Sequence, residues 1–295
     1  GVPFRSWAWM SHWWRHYGEG QPVGRRAASL FILGVLDRAD ALIGIAPWYL
    51  ESSLAEGRVV RFLGTGEVAS DYLSVLCEPG RKETVSAALA AWLTGVHTRP
   101  AAPGEEENPN GWDLLELTGV DAEDAAVASL AGQLEACGNR VHRRAGPNCW
   151  RIELPTSWGA YLARLSKDHR KQIRRTERGI LASGRVTVHR VERLDDLARA
   201  QDVLIDLHQR RRRMLGEPGC FASARFTDFH RQVMPDLLRQ GNLLLDWLEL
   251  DGRPIAAEYR LTGAGVVYAY QSGVDPDALE HSPGRLSHVN MLRQA

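Results

Sequence analysis

Five consecutive residues, Ser282-Pro283-Gly284-Arg285-Leu286, have the composition of a helix start that can hold an anion. Ser282 suits an N-cap, Pro283 suits the first helical position, and Gly284 lets a ligand approach the exposed backbone N–H groups. Arg285 sets a full positive charge beside the positive end of the helix dipole, so a pyrophosphate there takes both N–H and guanidinium hydrogen bonds. An ordinary well-capped helix has the same residues, and the segment alone does not separate the two. Upstream, Glu258 is a carboxylate inside the apolar run 254–261, where burial would raise its pKa; strand alternation that turns it to solvent is the competing reading. Tyr270 is a second titratable group in a strand-like run, and burial of its ring is the plainer account of it.

A cationic stretch precedes these groups. Arg164, Lys167, Arg170, Lys171, Arg174, Arg175 and Arg178 stand against Asp168 and Glu177. Lys167, Lys171, Arg174 and Arg178 follow helical spacing and share one face, while Ile173 and Ile180 mark an apolar face that packs inward. The basic face is either solvated surface or a seat for an anionic acceptor, such as a nucleotide-linked or acidic sugar. The run Arg210-Arg211-Arg212-Arg213 points all round its helix and reads mainly as surface, with His208 beside it as a candidate substrate contact. The Gly-Pro segment 216–221 reads as a loop bordering an acceptor pocket.

The elements that must position these residues alternate between helix and strand. An aromatic helix over 4–17, carrying Trp7, Trp9, Trp13 and Trp14, is too apolar to sit free in water. A hairpin over 29–50, strands at 59–63 and 71–77 and a helix over 81–93 follow. Residues 97–110, rich in proline and glutamate, read as a solvated linker or long loop. A strand at 113–117, a helix at 123–136 and strands near Val141 and at 150–154 complete a first lobe, 1–154. The second lobe, 155–295, reads as helices at 157–165 and 167–182, a strand at 185–191, helices at 194–214 and 224–239, and a three-strand meander over 242–272. The turn regions at Val35-Leu36-Asp37 and Glu249-Leu250-Asp251 echo each other, a weak sign of internal duplication.

Composition bounds the function. At 295 residues and 44% apolar content the chain can bury two cores. A formal net charge of +0 removes the global positive field that favours non-specific nucleic-acid or anionic-membrane binding. Only Lys82, Lys167 and Lys171 are lysines, so arginine dominates the basic residues as a compositional bias. Cys77, Cys137, Cys149 and Cys220 lie far apart, form no C-x-x-C pair and read as buried small apolar residues. No metal site and no membrane-spanning run is visible. The chain starts at Gly1 and stops at Ala295 within a helical pattern, so both ends are expected to be cut.

Taken in order, Phe4-Arg5-Ser6-Trp7 with Trp13-Trp14, Leu165-Ser166-Lys167-Asp168-His169-Arg170-Lys171-Gln172-Ile173-Arg174-Arg175, Pro254-Ile255-Ala256-Ala257, and Tyr268-Ala269-Tyr270-Gln271-Ser272-Gly273 before Ser282-Pro283-Gly284 carry a resemblance. The sequence resembles the GNAT acyltransferase superfamily, in particular the cellulose-biosynthesis-associated CelD/BcsL-type acetyltransferases, relatives of the FemABX peptidyltransferases. The resemblance implies an α/β (α+β) fold of tandem GNAT-like lobes, each a mixed, mainly antiparallel sheet flanked by helices, with the second lobe incomplete at its C-terminus. It implies acetyl-CoA as the acyl donor, bound by the second lobe only. The pantetheine would run along Tyr270, Gln271, Ser272 and Gly273, and the pyrophosphate would sit on Ser282, Gly284, Arg285 and Leu286. An amine or hydroxyl acceptor, such as a saccharide in envelope or polysaccharide synthesis, would attack the thioester directly. Glu258 or Tyr270 would serve as the catalytic base, the acid that protonates the leaving thiolate would lie in the missing C-terminal part, and Lys167, Lys171, Arg174 and His208 would contact the acceptor. The implied setting is cytoplasmic, with neither DNA nor a metal involved. Two other readings stand beside it: a FemABX-like aminoacyl-tRNA-dependent transferase, in which the basic helix would meet RNA, and a non-catalytic scaffold of a polysaccharide-synthesis complex.

Overall fold

A computed structural model describes residues 1–18, 28–53, 57–95 and 111–294, and within it the chain divides into two compact units, Phe4–Asn148 and Gly1–Pro3 with Cys149–Ala295. The expected linker at 97–110 lies outside the described residues.

The N-terminal unit begins with helix α1 (Trp7–Trp13), capped by Ser6 and continued by a π turn over Trp14–Gly18. Trp9 and Trp13 are buried and donate indole hydrogen bonds to Ser70 Oγ and the Thr65 carbonyl, as a buried indole requires. Trp7, by contrast, is exposed, so the helix presents an apolar stripe and is not buried all round. Strands β1 (Ala28–Leu36) and β2 (Leu42–Ser53) form the expected hairpin, and β3 (Gly57–Phe62) pairs with β2. The short β4 (Leu76–Cys77) adds to β2, helix α2 (Lys82–Leu93) follows, and β5 (Leu114–Leu115) runs parallel to β3. Helix α3 (Ala125–Ala136), capped by Asp124, packs against α2.

Strands expected near Val141 and at 150–154 do not form. Trp150, Ile152 and Leu154 alternate as a strand would, but they are exposed, with Trp150 at 98%. Alternation specifies a strand only where a neighbouring backbone and a core exist to receive it. The cysteines also depart from expectation: Cys137 and Cys149 are exposed, and Cys77 and Cys220 are only partly covered.

The C-terminal unit opens with two short helices, α4 (Trp158–Arg164) and α5 (Lys167–Thr176), capped by Ser157 and Ser166. The second ends in a π turn, Glu177–Leu181, from which Ile180 and Leu181 reach the core. Strand β6 (Val186–Arg190), helix α6 (Leu194–Met214), helix α7 (Ala224–Arg239), and strands β7 (Leu243–Leu250), β8 (Arg253–Gly263) and β9 (Val266–Val274) follow, and helix α8 (Pro283–Gln294) ends the unit. The sheet has the order β6-β7-β8-β9 and is antiparallel throughout. Asp251 and Gly252, at φ 51° and 80°, make the two-residue turn between β7 and β8, where a right-twisted hairpin needs both residues left-handed.

Alternate residues of β8 serve opposite faces. Tyr259 is fully buried toward α7, reaching His230 Nδ1 at 3.4 Å, whereas Glu258 is turned toward α8, where Ser287 Oγ donates to it at 2.8 Å. Helices α6 and α7 thus cover one face of this sheet and α8 the other. Leu248, Leu250, Ile255 and Leu286 close a core between the sheet and α8.

Candidate functional site

Strand β9 is the last in its sheet, so its outer edge has no strand partner among the described residues. A cleft of about 240 Å³ opens there, lined by His208, Arg211, Arg212 and Leu215 on one side and by Ser272, Gly273 and Val274 of β9 on the other. It is smaller than a pocket that encloses a drug-sized ligand.

The close approach of α6 to β9 depends on Gly273. A Cβ there would lie 2.5 Å from the His208 backbone nitrogen and 2.8 Å from Leu207 Cβ, so no side chain fits. His208 is itself buried. Its Nδ1 lies 2.9 Å from the Ser272 carbonyl oxygen; a carbonyl only accepts, so Nδ1 carries the proton and Nε2 is left as an acceptor. Cys220 Sγ stands 3.4 Å from that Nε2 and donates its S–H to it. Burial and the nearby Arg212 hold the His208 pKa below its usual value, which keeps the imidazole neutral around neutral pH. Phe221 stacks edge-on against the ring and fixes its plane.

Along the same strand, Tyr270 is half-buried, with its hydroxyl 3.1 Å from His230 Nε2. Since Nδ1 of the same imidazole meets the Tyr259 hydroxyl, a buried Tyr–His–Tyr chain runs from β9 into the sheet. The Tyr259 hydroxyl is raised far above its usual pKa by burial and stays protonated. Gln271 is half-buried and Ser272 exposed.

The end of β9 leads to α8 through a turn held by a buried carboxylate. Asp275 accepts from Asp277 N, pairs with Arg210 at 2.6 Å, and lies 2.7 Å from Arg253. Arg210, expected as surface, therefore ties α6 to the β9–α8 junction, while Arg212 pairs with Glu217 and Arg211 forms no ion pair among the described residues. Ser282 does not take the extended conformation of an N-cap: it sits at φ 52°, and its carbonyl accepts from Arg285 N and Leu286 N. Leu286 is buried in the core and its N–H is used, so it offers a ligand nothing. What remains at the mouth of α8 is Gly284 N–H and the exposed Arg285. A Cβ on Gly284 would lie 3.7 Å from Val274 Cγ1, and Val274 lines the cleft, so the helix mouth and the cleft adjoin.

Glu258 belongs to a different place. It faces α8 beside Arg260 and Asp246, which form a buried ion pair that Arg190 extends at 3.0 Å. Burial is the main cause holding its carboxyl above the usual glutamate range, despite the Ser287 hydrogen bond and Arg260. Glu258 and Tyr270 therefore lie on opposite faces of the sheet, and the structure does not bring the two together. Lys167, Lys171 and Arg174 are exposed on α5, which packs against α8; none has an ion pair among the described residues, and Glu177 is turned to Trp158 and Arg293.

Sequence reasoning did not find Cys220, His230 or Asp275. The aromatic spacing Phe226, Phe229 with His230 was open to it, whereas the meeting of His208 with Ser272 joins positions 64 apart and has no local signature. Among the described residues no cluster of metal-ligating side chains and no helix long and apolar enough to cross a membrane is found.

Residues 167–295 match the family described as "Acetyltransferase (GNAT) domain". That segment resembles an acyltransferase. The matched region begins at α5 and takes in the whole cleft. The crystal structure of FemX is similar to this chain with a TM-score of 0.62 at 11% identity, covering 100% of this chain and 80% of FemX, a likeness that shows the fold of both units. A search of curated proteins gives no match.

Proposed function

We propose that the C-terminal unit transfers an acetyl or similar acyl group from acyl-CoA to an amine or hydroxyl acceptor. The observation that carries this reading is that Val274, which lines the β9-edge cleft, also stands beside Gly284 at the mouth of α8. A donor with its pyrophosphate at Gly284 N–H and Arg285 would lay its pantetheine along Val274, Gly273 and Ser272 and end beside His208. No metal is needed in this scheme, because the amide and guanidinium donors meet the phosphates directly. The acceptor is an anionic molecule steered by Lys167, Lys171 and Arg174, and a nucleotide-linked or acidic sugar of envelope or polysaccharide synthesis has that character. The Phe4–Asn148 unit is a partner lobe without a donor site, and the setting is the cytoplasm, where acyl-CoA is made.

The unpaired cations of α5 and the FemX-like fold favour one second reading, an aminoacyl-tRNA-dependent transfer. Measuring thiol release from acetyl-CoA, and filter binding of aminoacyl-tRNA, separates them. Thiol release stimulated by an amine or hydroxyl compound, with RNA binding that vanishes at moderate salt, supports the acyl-CoA reading. Tight, salt-resistant RNA binding with no thiol release would replace it.

A further inference from the structure

The cysteine on the loop between α6 and α7 has the surroundings of a nucleophile. Cys220 is partly exposed, and its thiol points at the one imidazole nitrogen that the Ser272 carbonyl leaves unprotonated. Nucleophile, base and orienting acceptor therefore stand in a row, the arrangement that activates a thiol for acyl transfer. The row is rigidly held. Gln209 Nε2 donates to the Pro218 carbonyl at 3.0 Å, Arg212 pairs with Glu217, and Gly219, at φ 73°, passes so close to Gln209 that a Cβ would meet its Oε1 at 2.2 Å. Gln209 Oε1 is buried and has no hydrogen-bond partner among the described residues, an unused acceptor beside the Gly219–Cys220 step. Most directly, His208 is both the partner of Cys220 and a wall of the cleft.

We propose that Cys220 is a covalent acyl relay, with His208 as its base, so that the acyl group rests on the enzyme as a thioester before it reaches the acceptor. The inference rests on the acyl-CoA reading and replaces direct attack by the acceptor. In the first half, Cys220 Sγ forms a bond to the acyl carbon as the bond from that carbon to the CoA sulfur breaks. The thiol proton passes to His208 Nε2 and from there to the departing CoA thiolate. In the second half, the acceptor nitrogen or oxygen bonds to the acyl carbon and the Cys220 thioester breaks. His208 Nε2 takes the acceptor's proton and returns it to Cys220. No oxidant, reductant or further reactant is involved.

The test incubates the full chain with acetyl-CoA and no acceptor, quenches in acid, and locates acetyl groups by intact and peptide mass before and after hydroxylamine. The expected result is one hydroxylamine-labile acetyl group on Cys220, absent in Cys220→Ala and formed at least about tenfold more slowly in His208→Gln. Calorimetric binding of acetyl-CoA is measured on the same samples. Binding without acetyl on Cys220 overturns the relay and leaves the acyl-CoA reading standing; absence of binding overturns both. Labelling spread over the exposed Cys137 and Cys149 as readily as Cys220 also overturns it, because exposure alone would then explain the reaction.

Discussion

At Gly273 a missing side chain is what allows a helix to lie against a strand edge. Replacing it with alanine drives a Cβ into the His208 backbone, and overpacking of this kind costs about 1–3 kcal/mol. Gly273→Ala should therefore lower the unfolding free energy by that amount, read as a lower urea midpoint at unchanged slope, and weaken acetyl-CoA binding, since His208 must move. An unchanged midpoint would show that α6 yields freely and that the cleft is not held as described. Glu258 gives a second test through pH. A carboxyl whose folded pKa lies above its unfolded value stabilises the fold while protonated, and that contribution is lost as pH rises through the folded value. Glu258→Gln keeps an acceptor for Ser287 and removes the ionisation. Its gain in melting temperature should be larger at about pH 8 than at about pH 4, and a gain that shrinks with rising pH would contradict the burial of this group. The unusual chemistry of Glu258 was legible in the sequence because a carboxylate interrupted an apolar run. Its location was not, because which face of β8 meets α8 is decided by packing.

At the scale of elements, the meander β7-β8-β9 and the helix that follows were legible almost to the residue, since alternation, a left-handed two-residue turn and a Pro at the first helical position each have a local cause. The helix start itself was legible only in outline. Ser282 has the right chemistry for a cap, but the preceding turn forces it left-handed, and its carbonyl consumes two of the N–H groups expected to meet a phosphate. Gly284 is exposed with room for a side chain, so an added carboxylate there does not disturb the core. Gly284→Asp should weaken acetyl-CoA binding about tenfold through repulsion of the pyrophosphate, while Gly284→Ala should bind nearly as the native chain does. Equal losses in both variants would mean that shape and not charge matters at this position. The run Arg210 to Arg213 does spread round its helix, with Arg212 and Arg213 exposed, and Arg210 alone departs from the surface reading because it lands on a carboxylate 65 positions away that only the fold brings near.

Across the whole molecule, a mixed α/β fold with two sheets was legible from alternation of helical and strand patterns, and the FemX likeness spans both sheets. Strand signals failed where partners were lacking, near Val141 and at 150–154, because a β pattern without a neighbouring edge specifies nothing. The proposed donor site lies in the C-terminal unit, where Val274 of the open β9 edge touches both the cleft walled by His208 and the mouth of α8. The most direct measurement is calorimetric titration of acetyl-CoA into the full chain. Saturable binding at one site, weakened about tenfold by Gly284→Asp, is the expected result. Absence of binding, or binding that Gly284→Asp leaves unaltered, would contradict the assignment of the β9 edge and the α8 mouth as a donor site.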